Sequence, residues 1–179
     1  MIKVSENLQL RKISTSDTNA LFILMQEIYP LAYQHFWKDN GNWYVNSQYS
    51  KENILKELSQ ENTDYYFILY DEEIIGNFRI IWDEKLEGLH DVKQVKLHRL
   101  YLHQKTQGLG IGKTLLTWLE QKAFKKSYSI IWLDAMDEQP QAFQFYKKRG
   151  YTYHSHTFLP YTLLHDEVRK MSQVYKILT

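Results

Sequence analysis

The sequence of 179 residues contains no cysteine, only 3 prolines and 7 glycines, and no excess of either charge, with 22 Lys and Arg against 21 Asp and Glu. Each shortage closes off a class of protein. Without cysteine there is no disulfide framework, no thiolate metal site and no route that parks an acyl group on a protein thiol. A formal charge of +1 lacks the basic footprint of a nucleic-acid binder. Nowhere do the roughly 18 consecutive apolar residues of a membrane span occur, and the opening MIKVSENLQLRK is too often charged to be a secretory leader. The expectation is a cytoplasmic protein that engages neither membrane nor nucleic acid. So little Pro and Gly also leaves no linker, repeat or low-complexity tract, so residues 1–179 read as one domain.

What is present is apolar and aromatic, 44% and 15% of residues, which rules out intrinsic disorder and supplies a core. LQLRKI at 8–13 reads as a strand, and Ser14 with Asp17 gives capping-box spacing before a helix expected to stop at Pro30. From Tyr29 to Tyr49 two Trp and four Tyr lie among polar residues without helical or strand period, the pattern of an aromatic loop. A helix at about 51–60 precedes two apolar runs, 65–71 and 74–82, spaced as a hairpin. A strand at 94–102, an amphipathic helix at 108–126 and an apolar strand at 129–134 form a βαβ unit. Pro140 suits the first turn of another helix, which Gly150 ends, and strands near 151–158 and 173–178 complete the chain.

The chemistry concentrates in HQKTQGLGIGKT, 103–114, where three glycines at alternate positions lie between a strand and a helix. Such a loop aims backbone N–H groups and a helix N-terminus at a phosphate. Spacing separates the candidates. A P-loop requires glycine at position 107, which is Gln107, and a dinucleotide fingerprint requires it at 113, which is Lys113, although Asp134 ends the next strand where a ribose-binding acid would stand. The pattern Q/R-x-x-G-x-G/A is met at every defined position by Gln107, Gly110 and Gly112.

Together with KLHRLYL (96–102) and AFQFYKKRGY (142–151), this loop resembles the GNAT superfamily of N-acetyltransferases over residues 95–151, and FYKKRGY resembles its polyamine branch. The resemblance implies an α/β fold: a mixed, mostly antiparallel sheet of six to seven strands flanked by about four helices, with splayed central parallel strands binding acetyl-CoA. It implies direct acetyl transfer from acetyl-CoA to a small-molecule or peptide amine in a ternary complex, without a metal; the alternative is a non-catalytic acetyl-CoA sensor or scaffold of the same fold. A homodimer is compatible with it.

The resemblance also distributes roles. The apolar phase along 95–102 shifts between Leu97 and Leu100, as a bulge at His98 and Arg99 would produce. The backbone of Leu100, Tyr101 and Leu102 would then face the thioester and pantetheine. Gln107, Gly108, Leu109, Gly110, Ile111, Gly112, Lys113 and Thr114 would wrap the pyrophosphate, with Asp134 and Gln139 as further cofactor contacts. Lys148, with Lys147 and Arg149, would reach the 3′-phosphate or simply complement the helix dipole. Tyr146 would protonate the departing thiolate.

At pH 7 an ammonium of pKa about 10.4 needs about 4.6 kcal/mol to become a nucleophile, so something must accept its proton. Where histone-type members carry a glutamate this chain has Lys96; His98 occupies a position that is histidine in arylalkylamine acetyltransferases and is the expected base, alone or through water, with Glu84 and Asp83 in reserve. Trp37, Trp43 and Tyr44, near His35 and Asp39, are expected to build the acceptor site. His154 and His156 share a strand period but have no third ligand beside them, so they read as surface or cleft histidines.

Overall fold

A computed structural model describes residues 1–89 and 92–179. Its strands are β1 (Ile2–Lys3), β2 (Leu8–Lys12), β3 (Thr63–Tyr70), β4 (Glu73–Trp82), β5 (Gln94–Leu102), β6 (Ile130–Met136), β7 (Thr152–Phe158) and β8 (Lys170–Ile177). They form one sheet in the order β1-β2-β3-β4-β5-β6-β8-β7, antiparallel throughout except for the central β5–β6 pair. This is the expected mixed sheet with one strand more than expected, since β1 adds a two-residue edge.

The helices are α1 (Thr18–Tyr33), α2 (Asn42–Gln48), α3 (Lys51–Ser59), α4 (Ile111–Lys125) and α5 (Pro140–Lys148). Strand alternation divides the core in two. Tyr66 and Ile68 of β3 join Phe78 and Ile80 of β4 and the buried stripe of α4, Leu115, Leu116, Leu119 and Ala123, on one face. Tyr65, Phe67 and Leu69 join α1, α2 and α3 on the other. A strand buried on both faces loses the polar alternation of a half-buried one, and β3 and β4 are apolar runs for that reason.

Two expectations about the first half need correction. Pro30 lies inside α1 rather than ending it: proline forfeits one helical N–H bond, but the last turn closes through the Gln34 N–H to the Pro30 carbonyl. Tyr29 and Tyr33 stack across that turn at 4.9 Å. The aromatic stretch is also not a loop. Both carboxylate oxygens of Asp39 accept backbone bonds, from Gly41 N at 3.1 Å and Trp43 N at 2.6 Å, and start α2. Seven residues are too few for a helical period to show in sequence.

The hairpin between β3 and β4 turns through Asp71 and Glu72, both at positive φ (48° and 67°), the geometry of a two-residue hairpin turn. In β4, Gly76 faces Leu102 so closely that an added Cβ would stand 2.0 Å from the Tyr101 carbonyl oxygen. Gly76→Ala is therefore expected to cost about 1–3 kcal/mol of stability, read by denaturant unfolding. Unchanged stability would mean that β5 can retreat without loss.

Candidate active site

The β5–β6 ladder is only four pairs long, from Gln94↔Ile130 to Leu97↔Leu133. Beyond it β6 stays on β8 as far as Met136↔Met171, and β5 stays on β4 as far as Gly76↔Leu102. The two central strands therefore part, leaving the outer edge of β5 after Leu97 with no strand beside it. A bulge adds to the divergence: Arg79 pairs with Arg99 and Ile80 with Leu97, so His98 is the extra residue. The chain phase shifts there, and Leu97, Leu100 and Leu102 all contact the α4-side core.

A cavity of about 230 Å³ opens at this parting. Its lining includes His98 to Tyr101 of β5, Leu133 to Met136 of β6, Gln139 and Tyr146 from the start and body of α5, and an aromatic wall that includes Tyr29, Tyr33, Trp37, Tyr44 and Tyr161. Tyr44 and Tyr101 hydroxyls meet at 3.1 Å, and the Trp37 indole donates to Tyr29 Oη at 2.9 Å. Burial raises the phenols of Tyr101 and Tyr146 above their ordinary range and that of Tyr33 to about 12, so all three stay protonated at neutral pH. The Tyr146 hydroxyl makes no hydrogen bond among the described residues; its ring is held by Phe145 at 5.2 Å and Tyr151 at 5.6 Å.

Under the aromatic wall lies a charge cluster that sequence reading missed. Arg99 Nη2 donates to Glu57 Oε1 at 2.6 Å, and Arg79 Nη1 lies 3.7 Å from the same oxygen. All three residues are under 10% exposed. Arg79 also donates to Gln60 and, at 2.6 Å, to His98 Nδ1; a guanidinium has no acceptor, so Nδ1 is the acceptor. Burial and the adjacent Arg99, Arg79 and Lys96 charges push the His98 pKa down to about 2. The imidazole is neutral, and its surroundings oppose proton uptake. The one sequence signal was Arg79 itself, a lone cation within the apolar run of β4.

The glycine loop lies at the other end of the parting. Gln104–Thr106 forms a short 3-10 turn, Gly108 and Gly110 adopt positive φ (85° and 72°), and α4 begins at Ile111, three residues later than expected. Gly110 is in the left-handed region and caps α4, so helical geometry cannot start earlier. The Gln107, Leu109 and Thr114 N–H groups are already bonded to Gln104, Thr106 and Gly110 carbonyls. The donors left to the loop are those of Gly108, Gly110 and the first turn of α4 at Ile111, Gly112 and Lys113. A Cβ added at Gly108 or Gly110 would meet nothing within 4 Å, so the space over the loop is open.

The other expected residues divide. Asp134 lines the cavity but is held by Lys96 Nζ at 2.8 Å and Gln173 Nε2 at 3.2 Å. The Gln139 amide donates to the Ala32 carbonyl. Trp43 does not line the cavity; it packs on Tyr161 at its edge, 38% exposed. Lys147 and Lys148 are exposed, whereas Arg149 is tied to Glu120 and Thr117 on α4. Glu84 and Asp83 are not at the cavity: they follow Trp82, which pairs with Val95 at the start of β5, and Asp83 accepts from Tyr128 Oη. Chain direction explains the miss, because antiparallel β4 ends where β5 begins. His154 donates to the Glu87 carbonyl and His156 meets Tyr153 Oη, so each histidine is engaged separately.

Comparison with known proteins agrees with this geometry. The sequence profile of the acetyltransferase (GNAT) family matches residues 22–151. An uncharacterised N-acetyltransferase of Lactobacillus delbrueckii subsp. lactis is 26% identical over 129 residues, covering 69% of this chain and 75% of that protein. Among solved structures, the PaiA N-acetyltransferase of Thermoplasma acidophilum in complex with coenzyme A superposes with a TM-score of 0.70 at 22% identity, over 95% of this chain and 98% of that one. A Salmonella typhimurium acetyltransferase that modifies the N-terminal serine of ribosomal protein L7/L12 gives 0.70 at 15% identity, with 99% of each chain covered. A variant of the spermidine N-acetyltransferase SpeG of Vibrio cholerae gives 0.64 at 16%, over 97% of this chain and 95% of that one. Parted central strands, a glycine loop capping α4 and a family profile spanning most of the sequence agree: the chain belongs to the GNAT family of acetyltransferases.

Proposed function

We propose that the protein transfers an acetyl group from acetyl-CoA directly to an amine bound in the same cavity. The observation that carries this reading is convergence: the unpaired edge of β5, the free hydroxyl of Tyr146 and the aromatic wall all border one cavity. Gly108, Gly110 and the first turn of α4 supply N–H donors for the pyrophosphate, with Lys113 beside them. The edge of β5 from Leu100 to Leu102 receives the pantetheine arm. Bound there, acetyl-CoA supplies an activated acyl thioester, and no residue of the chain offers a thiol to intercept it.

The amine nitrogen forms a bond to the acyl carbon as the C–S bond breaks, and Tyr146 gives its proton to the departing sulfur. The proton released by the amine returns to Tyr146 through water. His98 does not take it, because its Nδ1 is engaged by Arg79 and three cations surround the ring. Instead, burial in the cavity lowers the amine's own pKa and reduces the cost of deprotonation.

Mixing the protein with acetyl-CoA and a panel of amines, and following CoA thiol with a thiol reagent, tests the proposal against no cysteine background. Thiol release that depends on a particular amine is the expected result. A melting temperature raised by acetyl-CoA, with no release by any amine, would instead favour a sensor or scaffold.

A further inference from the structure

The cavity carries a charge that its aromatic walls do not disclose. Its ionised lining residues, among those described, are Arg99 and Asp134, and Asp134 is neutralised by Lys96 at 2.8 Å. Arg99 instead shares a single carboxylate, Glu57, with Arg79. Guanidinium groups stay charged in proteins, so the three cations Arg79, Arg99 and Lys96 stand against two anions, Glu57 and Asp134. One positive charge is left uncompensated. His98 does not add to it, being neutral.

Arg99 is placed to present that charge. It is 4% exposed, and among the described residues its Nε has no hydrogen-bond partner while its Nη2 donates to Glu57. Its guanidinium lies over the Tyr49 ring, 4.5 Å from the centroid. Leu100, the next residue, begins the stretch of β5 assigned above to the acyl donor, so an anion on Arg99 would sit close to the reacting amine.

We propose that the acceptor is an amine bearing a carboxylate close to its nitrogen on an apolar or aromatic body, and that Arg99 receives the carboxylate. This rests on the acetyltransferase reading above. A carboxylate gains charge-assisted hydrogen bonds from a desolvated fork, and the aromatic wall accommodates the body. A polycation would bring two or more like charges to a positive floor where no free carboxylate lines the cavity among the described residues.

Matched acceptors test this: phenylalanine against phenethylamine and leucine against 3-methylbutylamine, each pair differing by one carboxylate, with spermidine as the polycation. In CoA thiol release the carboxylate-bearing member should show a kcat/KM about 10- to 100-fold higher than its partner, and spermidine should be the poorest. Arg99→Gln leaves Glu57 balanced by Arg79 and should bring each ratio close to one. A readout without turnover is 3-phenylpropionate, which should raise the melting temperature of the native protein but not of the Arg99→Gln variant. Should that variant not fold, Arg99→Lys should lower the ratio without abolishing it. Equal or better turnover of the uncharged partner or of spermidine, or a ratio that survives Arg99→Gln, overturns this assignment and leaves the acetyltransferase reading intact. No release with any of these five acceptors overturns this assignment; no release with any amine of the wider panel overturns the acetyltransferase reading as well.

Discussion

Replacing Tyr146 by phenylalanine is expected to lower kcat by about 10²- to 10⁴-fold, the range typical of a lost general acid, with acetyl-CoA affinity nearly unchanged. The variant is clean because the hydroxyl has no hydrogen-bond partner among the described residues, so its removal orphans none of their buried groups, and the ring keeps its contacts with Phe145 and Tyr151. Burial raises the phenol above its ordinary value, Tyr33 adding to the effect. A raised pKa keeps the acid protonated to higher pH, so no loss of rate owing to Tyr146 should appear below about pH 10. Steady-state kinetics with a series of acyl donors of differing thiol pKa isolates the step: the Phe variant should depend more steeply on leaving-group pKa. An unaltered kcat would remove Tyr146 from the mechanism.

Glu57→Leu is expected to cost about 3–5 kcal/mol, because it leaves two buried guanidiniums facing each other with no counter-charge. Arg79 is 1% exposed and Arg99 4%, so water cannot replace the carboxylate without opening the fold. The same substitution combined with Arg79→Met should recover part of the loss, with a coupling energy of about 1–3 kcal/mol. Urea unfolding of the two single variants and the double variant closes the cycle. A loss below about 1 kcal/mol for Glu57→Leu would place these charges in the class of solvent-screened surface pairs.

The route from sequence to site was uneven for physical reasons. The span of β5 was readable because its apolar phase, Val95 and Leu97 against Leu100 and Leu102, records the bulge at His98. The loop was readable because left-handed backbone at Gly108 and Gly110 restricts the residue type locally. The acceptor side left fainter traces. α2 depends on one carboxylate binding its own backbone, and the cluster under the cavity ties Glu57 to Arg79 and Arg99 across separations of 22 and 42 residues, which no local pattern encodes. Glu84 follows the strand that adjoins β5, as the hairpin implies, but antiparallel pairing sets that strand's end beside Val95, away from the parting of the sheet.

The four-pair ladder between β5 and β6 makes the sheet behave as two leaves on a short spine, one carrying β1 to β5 and the other β6 to β8. The angle between the leaves sets the width of the gap, and it can change while every other strand pairing is kept. The residues that govern that width need not touch a ligand: of the spine residues Val95, Leu97, Ile131 and Leu133, only Leu97 and Leu133 reach the cavity, while Val95 and Ile131 are buried behind it and their bulk still tilts one leaf against the other. An acyl donor lying in the gap would act as a wedge of fixed thickness between the leaves. Selection for donor size would then fall on core hydrophobics that a contact map of the bound ligand would never include.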